Sequence, residues 1–427
     1  MANARHTPPL VFAFTILPFG AAVGYVSIAA PFWLDAQGVS LAAIGTISGI
    51  ANAPHAFKFL WAPLVDLGGH RKRWFFATTA LTAVALAVLA FLPDPGHHLV
   101  TYTVLAAIAQ VAGTTSAAAA DGLMALTTRD QDKGKAGGFR MAGNVGFTGV
   151  LGALALWVAK VSGSVPVAGM ALAGVTLLAL LPALRIQEMA AAAVTSGQGW
   201  LHDVGLKLGH VLLDVWRTIT SRDGWTGLVI CAVPVGAGAL TNLFTAMASD
   251  YHASANVVAM VNGLGGGVVG ALGALVGGVL ADRMNRRLAY AFSGALTAGT
   301  ALAMYFAPLD ATTYTWGVLA YSFANGIAFA TLAAFILEIC GHGAGAATKY
   351  TTFIAVANLA SGYVTTLDGW GSRMPGLGVR GSILADIALT SVGVVVLLAM
   401  VAVTRRRVAS SSGPPPASGA TGPALEP

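Results

Sequence analysis

Long apolar stretches recur along the whole chain, each ended by a short cluster of charged or helix-breaking residues. A bilayer core is crossed by about 20 apolar residues in a helix. Twelve runs are long enough, near 9–33, 40–65, 74–92, 100–128, 136–159, 166–184, 224–249, 255–281, 288–307, 313–340, 350–368 and 381–403. The pattern predicts an all-α membrane protein of twelve transmembrane helices. The first run follows Arg5, is interrupted by Pro18 and Pro31, and has no small-residue cleavage site ahead of a soluble domain. It reads as a retained helix and not as a signal peptide.

The polar punctuation carries the topology. Basic residues gather at the amino terminus (Arg5), in alternate loops (Arg71, Lys72, Arg73; Arg129, Lys133, Lys135; Arg185, Lys207, Arg217, Arg222; Arg283, Arg286, Arg287; Lys349) and in the tail (Arg405, Arg406, Arg407). The opposite loops hold Lys160, Arg373 and Arg380. Cytoplasmic loops carry the excess of Lys and Arg, so both termini are expected in the cytoplasm, as an even number of spans requires. The gap between the sixth and seventh runs is more polar and splits the chain into two groups of six. The expected division is a six-helix bundle over 1–185, a cytoplasmic linker over 186–223, a second six-helix bundle over 224–404 and a disordered tail over 405–427. Within the linker, Leu201, Val204, Leu208, Val211, Leu212, Val215 and Ile219 recur at helical spacing opposite His202, Lys207, His210, Asp214 and Arg217. This is an amphipathic helix, lying either on the inner membrane surface or on the protein's own cytoplasmic face.

Composition narrows the function classes. The 427 residues are 56% hydrophobic and 9% charged, against roughly a quarter charged in a soluble domain. The net charge of +6 follows the topology rule and does not imply nucleic acid. Cys231 and Cys340 both fall inside spans without metal-ligand neighbours, so neither a disulfide framework nor a metal site is expected. An enzyme is disfavoured, since there is no HExxH, G-x-S-x-G or P-loop and no soluble domain to host a site. No cofactor is expected. Glycine is frequent at 53 residues, with runs such as 263–278, and small residues let helices approach closely in lipid.

After the eighth span comes Gly278-Val-Leu-Ala-Asp282-Arg283-Met-Asn-Arg286-Arg287. It fits the G-x-x-x-D-R-x-x-R-R loop signature of the major facilitators. After the second span, Asp66-Leu-Gly-Gly-His-Arg71-Lys72-Arg73 keeps the same order of carboxylate then base. The chemistry suits a latch on the cytoplasmic side, a carboxylate held by Arg from the next helix. Matching loops imply a duplicated six-helix unit. Phe57-Lys58-Phe59-Leu60-Trp61-Ala62-Pro63-Leu64-Val65-Asp66 resembles the corresponding stretch of the AmpG-like permeases, the peptidoglycan-recycling branch that includes acetyl-CoA carriers. Ala120-Asp121-Gly122, Gly138-Phe139-Arg140, Val261-Asn262 with Gly273-Ala274-Leu275, and Ala347-Thr348-Lys349-Tyr350 extend the likeness over both halves. The chain departs from that pattern at Ala117, at Val233–Gly238 and at Gly263, where the relatives carry charges. The resemblance implies two pseudo-symmetric six-helix bundles, a multi-pass protein of the bacterial inner membrane and a small-molecule substrate moved by alternating access.

Ionisable groups inside spans are costly and by default functional. Lys58 and Asp121 each lie seven residues before a cytoplasmic helix end, roughly 10 Å deep at 1.5 Å per residue, and Arg140 starts the fifth span at a similar level. One reading has Lys58 and Arg140 attracting an anionic cargo while Asp121 exchanges a proton; the other is a structural ion pair with Lys58 snorkelling. His55, three residues before Lys58, suits either proton coupling or hydrogen-bonded packing. Glu338 is expected at the gate or in proton coupling, and Asp386 is expected to pair with Arg380. Asn242, Asn262, Asn325 and Asn358 are candidates for a polar cavity or for interhelical bonds. The expectation is a monomeric, proton-linked carrier, embedded in lipid, of a small polar solute such as a muropeptide. A general metabolite or drug efflux carrier of the same fold, or a non-transporting sensor, stays open.

Overall fold

Alanine-, leucine- and valine-rich runs leave the backbone no partner in lipid but itself, so every described span is helical. The computed structural model describes residues 7–39, 47, 50–51, 53–67, 70–92, 96–188, 200–341 and 345–411. Among these, eight helices are long and apolar enough to cross a membrane: Val11–Leu34, Arg71–Phe91, Leu99–Thr127, Asp130–Ser162, Val165–Ala183, Asn256–Arg283, Ala311–Cys340 and Val379–Val403. They are the first, third, fourth, fifth, sixth, eighth, tenth and twelfth spans. The other four are broken or more polar. The second is described over 53–67 as short pieces, Pro54–Phe57, a tight turn at Lys58–Leu60, and Ala62–Leu67. Its expected start at 40–46, 48–49 and 52 lies outside the described residues. The seventh is Arg222–Ala232 followed by Ala239–Asn242 and Phe244–Met247, the ninth Arg286–Phe306, the eleventh Ala346–Gly371.

The continuous helix expected over 224–249 is corrected here. Pro234 lacks a donor, and Gly236 (φ +62) and Gly238 (φ +66) adopt left-handed backbone that ends a helix. The helix of the twelfth span also continues to Ser411, past the Arg405–Arg407 cluster where a disordered tail is expected to start. Residues 412–427 lie outside the described residues.

Two kinds of helix start appear. Ser164, Ser221, Asn285 and Asp310 cap the sixth, seventh, ninth and tenth spans locally, each accepting from backbone N–H groups two or three residues on. The third, fifth and eleventh spans are capped from a distance. Glu188 accepts from the N–H groups of Arg71 and Lys72 at 2.7 and 3.0 Å. Asp282 does the same for the fifth span and Asp66 for the eleventh, as detailed below. All three starts lie on one face, the basic face.

Packing follows the small residues. A Cβ on Gly278 would meet the Gly134 carbonyl at 2.7 Å and the Gly138 Cα at 2.9 Å, so the fifth and eighth spans touch backbone to backbone across the two halves. Large apolar side chains remain exposed along the spans, for example Leu81, Val84 and Val88 of the third and Val392 and Val395 of the twelfth. Lipid is the solvent for that surface. The linker helix, Trp200–Thr220, buries Val211 and Val215 against the protein while Leu212, Leu213 and Trp216 stay exposed. It packs on the basic face; the side chains of Leu201, His202, Val204 and Lys207 lie outside the described residues.

Candidate functional site

Between the halves lies a cavity of about 250 Å³. The four interrupted or polar spans all contribute to it: His55 and Lys58 from the second, Val233 and Gly236 beside the break in the seventh, Tyr290 from the ninth, Asn358 and Ser361 from the eleventh. Irregular backbone and polar groups at membrane depth are tolerated where they line such a space. Asn144 of the fifth span completes the polar lining, and Phe19, Phe329 and Leu332 supply apolar walls.

Lys58 is the charge in this wall. It is 7% exposed, and among the described residues no hydrogen bond or ion pair reaches its ammonium group. Asp121 and Arg140 are close enough to act on it electrostatically, but they are bonded to each other. Arg140 Nε donates to Asp121 Oδ1 at 2.8 Å and Nη2 to Oδ2 at 3.3 Å, both side chains buried. The remaining Arg140 nitrogen, Nη1, finds no acceptor. Tyr350 of the second half is buried within electrostatic reach of the pair, its hydroxyl also unpartnered. The expected three-group network is therefore divided: an ion pair sealed beneath the basic face, and a lone cation open to the cavity. Two cations against one acid leave a surplus positive charge in a low-dielectric interior, where an anion would be held strongly.

His55 bonds Gln110 Oε1 at 3.0 Å and lies against the Phe19 ring, 4.9 Å between centroids. It is both a packing residue and a cavity wall. The four asparagines divide. Asn358 opens into the central cavity. Asn262 and Asn325 line a second cavity of about 300 Å³, which shares the Phe329 wall with the first. There Asn262 donates to Thr245 and to the Tyr314 hydroxyl, at 3.1 and 2.9 Å, while the Asn325 amide oxygen is buried without a partner. Asn242 instead bonds Thr365 at 3.0 Å, tying the seventh span to the eleventh.

The basic face is closed by two carboxylates that exchange halves. Asp66 accepts from the N–H groups of Ala347 and Thr348 at 3.3 and 2.9 Å and from the Thr348 hydroxyl at 2.7 Å, while Arg71 holds it from the side at 2.7 Å. Asp282 accepts from the N–H groups of Gly134 and Lys135 at 2.6 and 2.8 Å. The second span thus caps the eleventh and the eighth caps the fifth, the same device under the pseudo-twofold. Each carboxylate sits on the positive end of a helix dipole. This corrects the latch expected after the eighth span, because Arg from the next helix does not hold Asp282. Arg286 instead pairs with Glu338 at 2.8 Å and reaches the Asp130 carbonyl of the other half. Arg287 lies over the Phe335 ring, and Arg73 and Arg283 are exposed. The expected Asp386–Arg380 pair is also absent: Arg380 donates to the Ala307 carbonyl and Asp386 accepts from Tyr321.

Sequence reasoning missed Asn144, Gln110 and Tyr350. Asn144 was findable, four residues after Arg140 and so on the same helical face. Gln110 carries no charge and no spacing signal, and Tyr350 was seen only as part of the family likeness; the packing brings both to the site. Among the described residues no three potential metal ligands gather.

The profile of the Major Facilitator Superfamily matches residues 11–366. Anhydromuropeptide permeases of two Escherichia coli strains are 24% identical to this chain over 352 residues, 79% of it and 69% of theirs. The major facilitator transporter FucP, crystallised in the outward conformation, superposes with a TM-score of 0.63 at 15% identity, covering 91% of this chain and 97% of that one. A second structure, of the Escherichia coli fucose:proton symporter FucP, gives 0.65 at 16% identity over the same shares. With a duplicated helical bundle, a cavity between its halves and a family profile over most of its length, this chain belongs to the major facilitator superfamily and is a multi-pass membrane transporter, not an enzyme.

Proposed function

We propose that this transporter carries a small polar anion, of the muropeptide class, across the bacterial cytoplasmic membrane by alternating access coupled to protons, with the cavity around Lys58 as its binding site. The observation that carries the reading is Lys58 itself, a buried cation with no bonded partner among the described residues, in the wall of the cavity between the halves. A charge in that position is stable only if water or an anion completes it. The excess of Lys and Arg supports the basic face as the cytoplasmic one, with both termini inside.

In the closed state Asp121 and Arg140 neutralise one another. Opening the basic face withdraws Tyr350 and the eleventh-span start and lets water reach Asp121. Protonation there releases Arg140 as a second cation for the cargo, so that proton and anion bind together. His55 and Asn358 supply hydrogen bonds to the uncharged part of the cargo. The protein works as a monomer, since both halves of the cavity come from one chain. A second reading, a carrier of a smaller metabolite anion, is favoured by the cavity's size. At about 250 Å³ it falls below the roughly 300–1,000 Å³ of typical ligand pockets.

The test is uptake of labelled anhydromuropeptide into right-side-out and inverted vesicles, with and without a proton gradient. The expected result is gradient-dependent flux in the wild type, abolished in Lys58→Ala and uncoupled from the gradient in Asp121→Asn. Absence of flux in both orientations, from protein shown to be inserted, would discard the muropeptide and move the search to smaller anions.

A further inference from the structure

Outside the cavity, the second half buries two carboxyl groups side by side. Asp368 lies near the end of the eleventh span and Asp386 in the twelfth, and neither is exposed to any extent. The Tyr321 hydroxyl, from the tenth span, lies 3.1 Å from each oxygen of Asp386. Asp368 is within side-chain hydrogen-bonding reach of Asp386, yet neither of its own oxygens meets a donor. Two carboxylates offer acceptors only, and their contact becomes a hydrogen bond when a proton stands between them.

The surroundings leave the pair nothing else. No Lys, Arg or His stands against it among the described residues: Arg380 is engaged with the Ala307 carbonyl, and Arg373 is exposed. Tyr321 belongs to an apolar cluster that includes, from its own tenth span, the phenol Tyr314. From the seventh come Leu240, Phe244 and, beyond its end, Tyr251. The ninth adds Tyr305, and the twelfth itself adds Ile383 and Ile387. Phe244 sets its ring edge-on to that of Tyr321, 5.3 Å between centroids. Tyr251 has Asp250 beside it in sequence and Arg380 within electrostatic reach. In this apolar surrounding two negative charges in contact repel with nothing to offset them, so the doubly ionised pair is strongly disfavoured while the two helices stay packed together.

We propose that Asp368 and Asp386 form a proton-binding site between the eleventh and twelfth spans, holding one proton shared by the two carboxyls, with Tyr321 fixing the orientation of Asp386. The site is separate from Asp121 and lies towards the face opposite the gate. It is tied to the cavities through its helices. Asp368 is two turns beyond Ser361, which lines the central cavity, and Tyr321 is one turn before Asn325, which lines the second one. Departure of the proton puts two like charges between the eleventh and twelfth spans and drives them apart. That movement would be carried to the cavity wall by the eleventh span and by its Thr365–Asn242 bond.

The proton site stands independently of the cargo assigned above, and its test uses no cargo. Full-length protein in lipid nanodiscs is titrated by infrared difference spectroscopy, following the carbonyl stretch of protonated carboxyl groups. The wild type is expected to show a protonated-carboxyl band near neutral pH that disappears on alkaline titration. In Asp368→Asn and in Asp386→Asn the surviving acid loses its like-charged neighbour and gains an amide donor. Its band should then titrate at lower pH, by about one unit or more. The double Asn variant, an uncharged isostere of the protonated pair, should lack the band. Tyr321→Phe, which keeps the ring, should keep the proton and shift the band's frequency. A band that survives in the double variant, or that is missing from the wild type at neutral pH, overturns the proposal. An intact titrating band in protein that moves no muropeptide would refute the cargo alone.

Discussion

Lys58 is a residue whose burial works against the fold. An ammonium group at 7% exposure with no bonded counter-ion among the described residues costs stability that a neutral side chain of similar length would not. Lys58→Met is therefore expected to stabilise the purified protein by about 1 kcal/mol or more, raising its thermal unfolding temperature, while abolishing uptake. A structural lysine would give the opposite sign, a lower unfolding temperature, so one scan separates the two roles. Gly238 is the contrary case. Its φ of +66 is left-handed, and a Cβ there would collide with the Asn325 amide. Gly238→Ala should cost about 1–3 kcal/mol and lower the unfolding temperature. Shortening the obstruction in Gly238→Ala/Asn325→Ala should recover the steric part of that loss and leave the backbone part. Full additivity of the two substitutions in a double-mutant cycle would show that the contact is not what fixes the glycine.

The helix starts on the basic face behave as exchangeable parts. Asp66 and Asp282 each place a buried or half-buried carboxylate on the N-terminus of a span from the other half. These bonds exist only while that face is closed. Neutralising one of them weakens the closed state by about 2 kcal/mol, enough for a tenfold or greater shift in population. Cys231 reports the change, because it is 1% exposed and lines the central cavity. In a Cys340→Ser background, Asp66→Asn and Asp282→Asn should each speed maleimide labelling of Cys231 from the basic side. Unchanged labelling rates would mean that the caps do not set the gate. How much of this was legible in the sequence follows from the physics of each feature. The spans were legible because lipid imposes length and hydropathy on most of them. The gate carboxylates stood out because each precedes a basic cluster at the equivalent place in the two halves. Their partners did not, because a backbone N–H has no letter in the sequence. The break in the seventh span was foreshadowed by Pro234, Gly236 and Gly238, yet hydropathy runs straight through it. The Asp368–Asp386 pair joins two helices, and only the fold shows that they face each other and not Arg380.

Across the whole molecule, the connection between the halves contributes to the closed state. Asp214 of the linker helix accepts from the Gly345 N–H at 3.0 Å and pairs with Lys349 at 2.9 Å, holding the start of the eleventh span beside the Asp66 cap. Burial raises the Asp214 carboxyl's proton affinity. The Gly345 N–H, the Lys349 ammonium and the nearby Arg217 lower it by more, and the net effect is a pKa below the ordinary carboxylate value. The sign of the linkage follows. A depressed folded-state value means that the ionised form is the one the folded protein prefers, so the stabilisation is complete above the unfolded value, about 3.9. It is lost only as the pH falls through the lower folded value. From about pH 5 to 8 the clamp should therefore be insensitive to pH. Asp214 itself then takes up no proton across that range. Hydrogen exchange at the Gly345 amide checks this directly. After correction for the intrinsic pH dependence of exchange, its protection should stay level across that range in the wild type and be reduced throughout in Asp214→Asn. Protection that fell between neutral and mildly acidic pH would show that Asp214 titrates there, and would make the linker a pH-sensitive part of the gate.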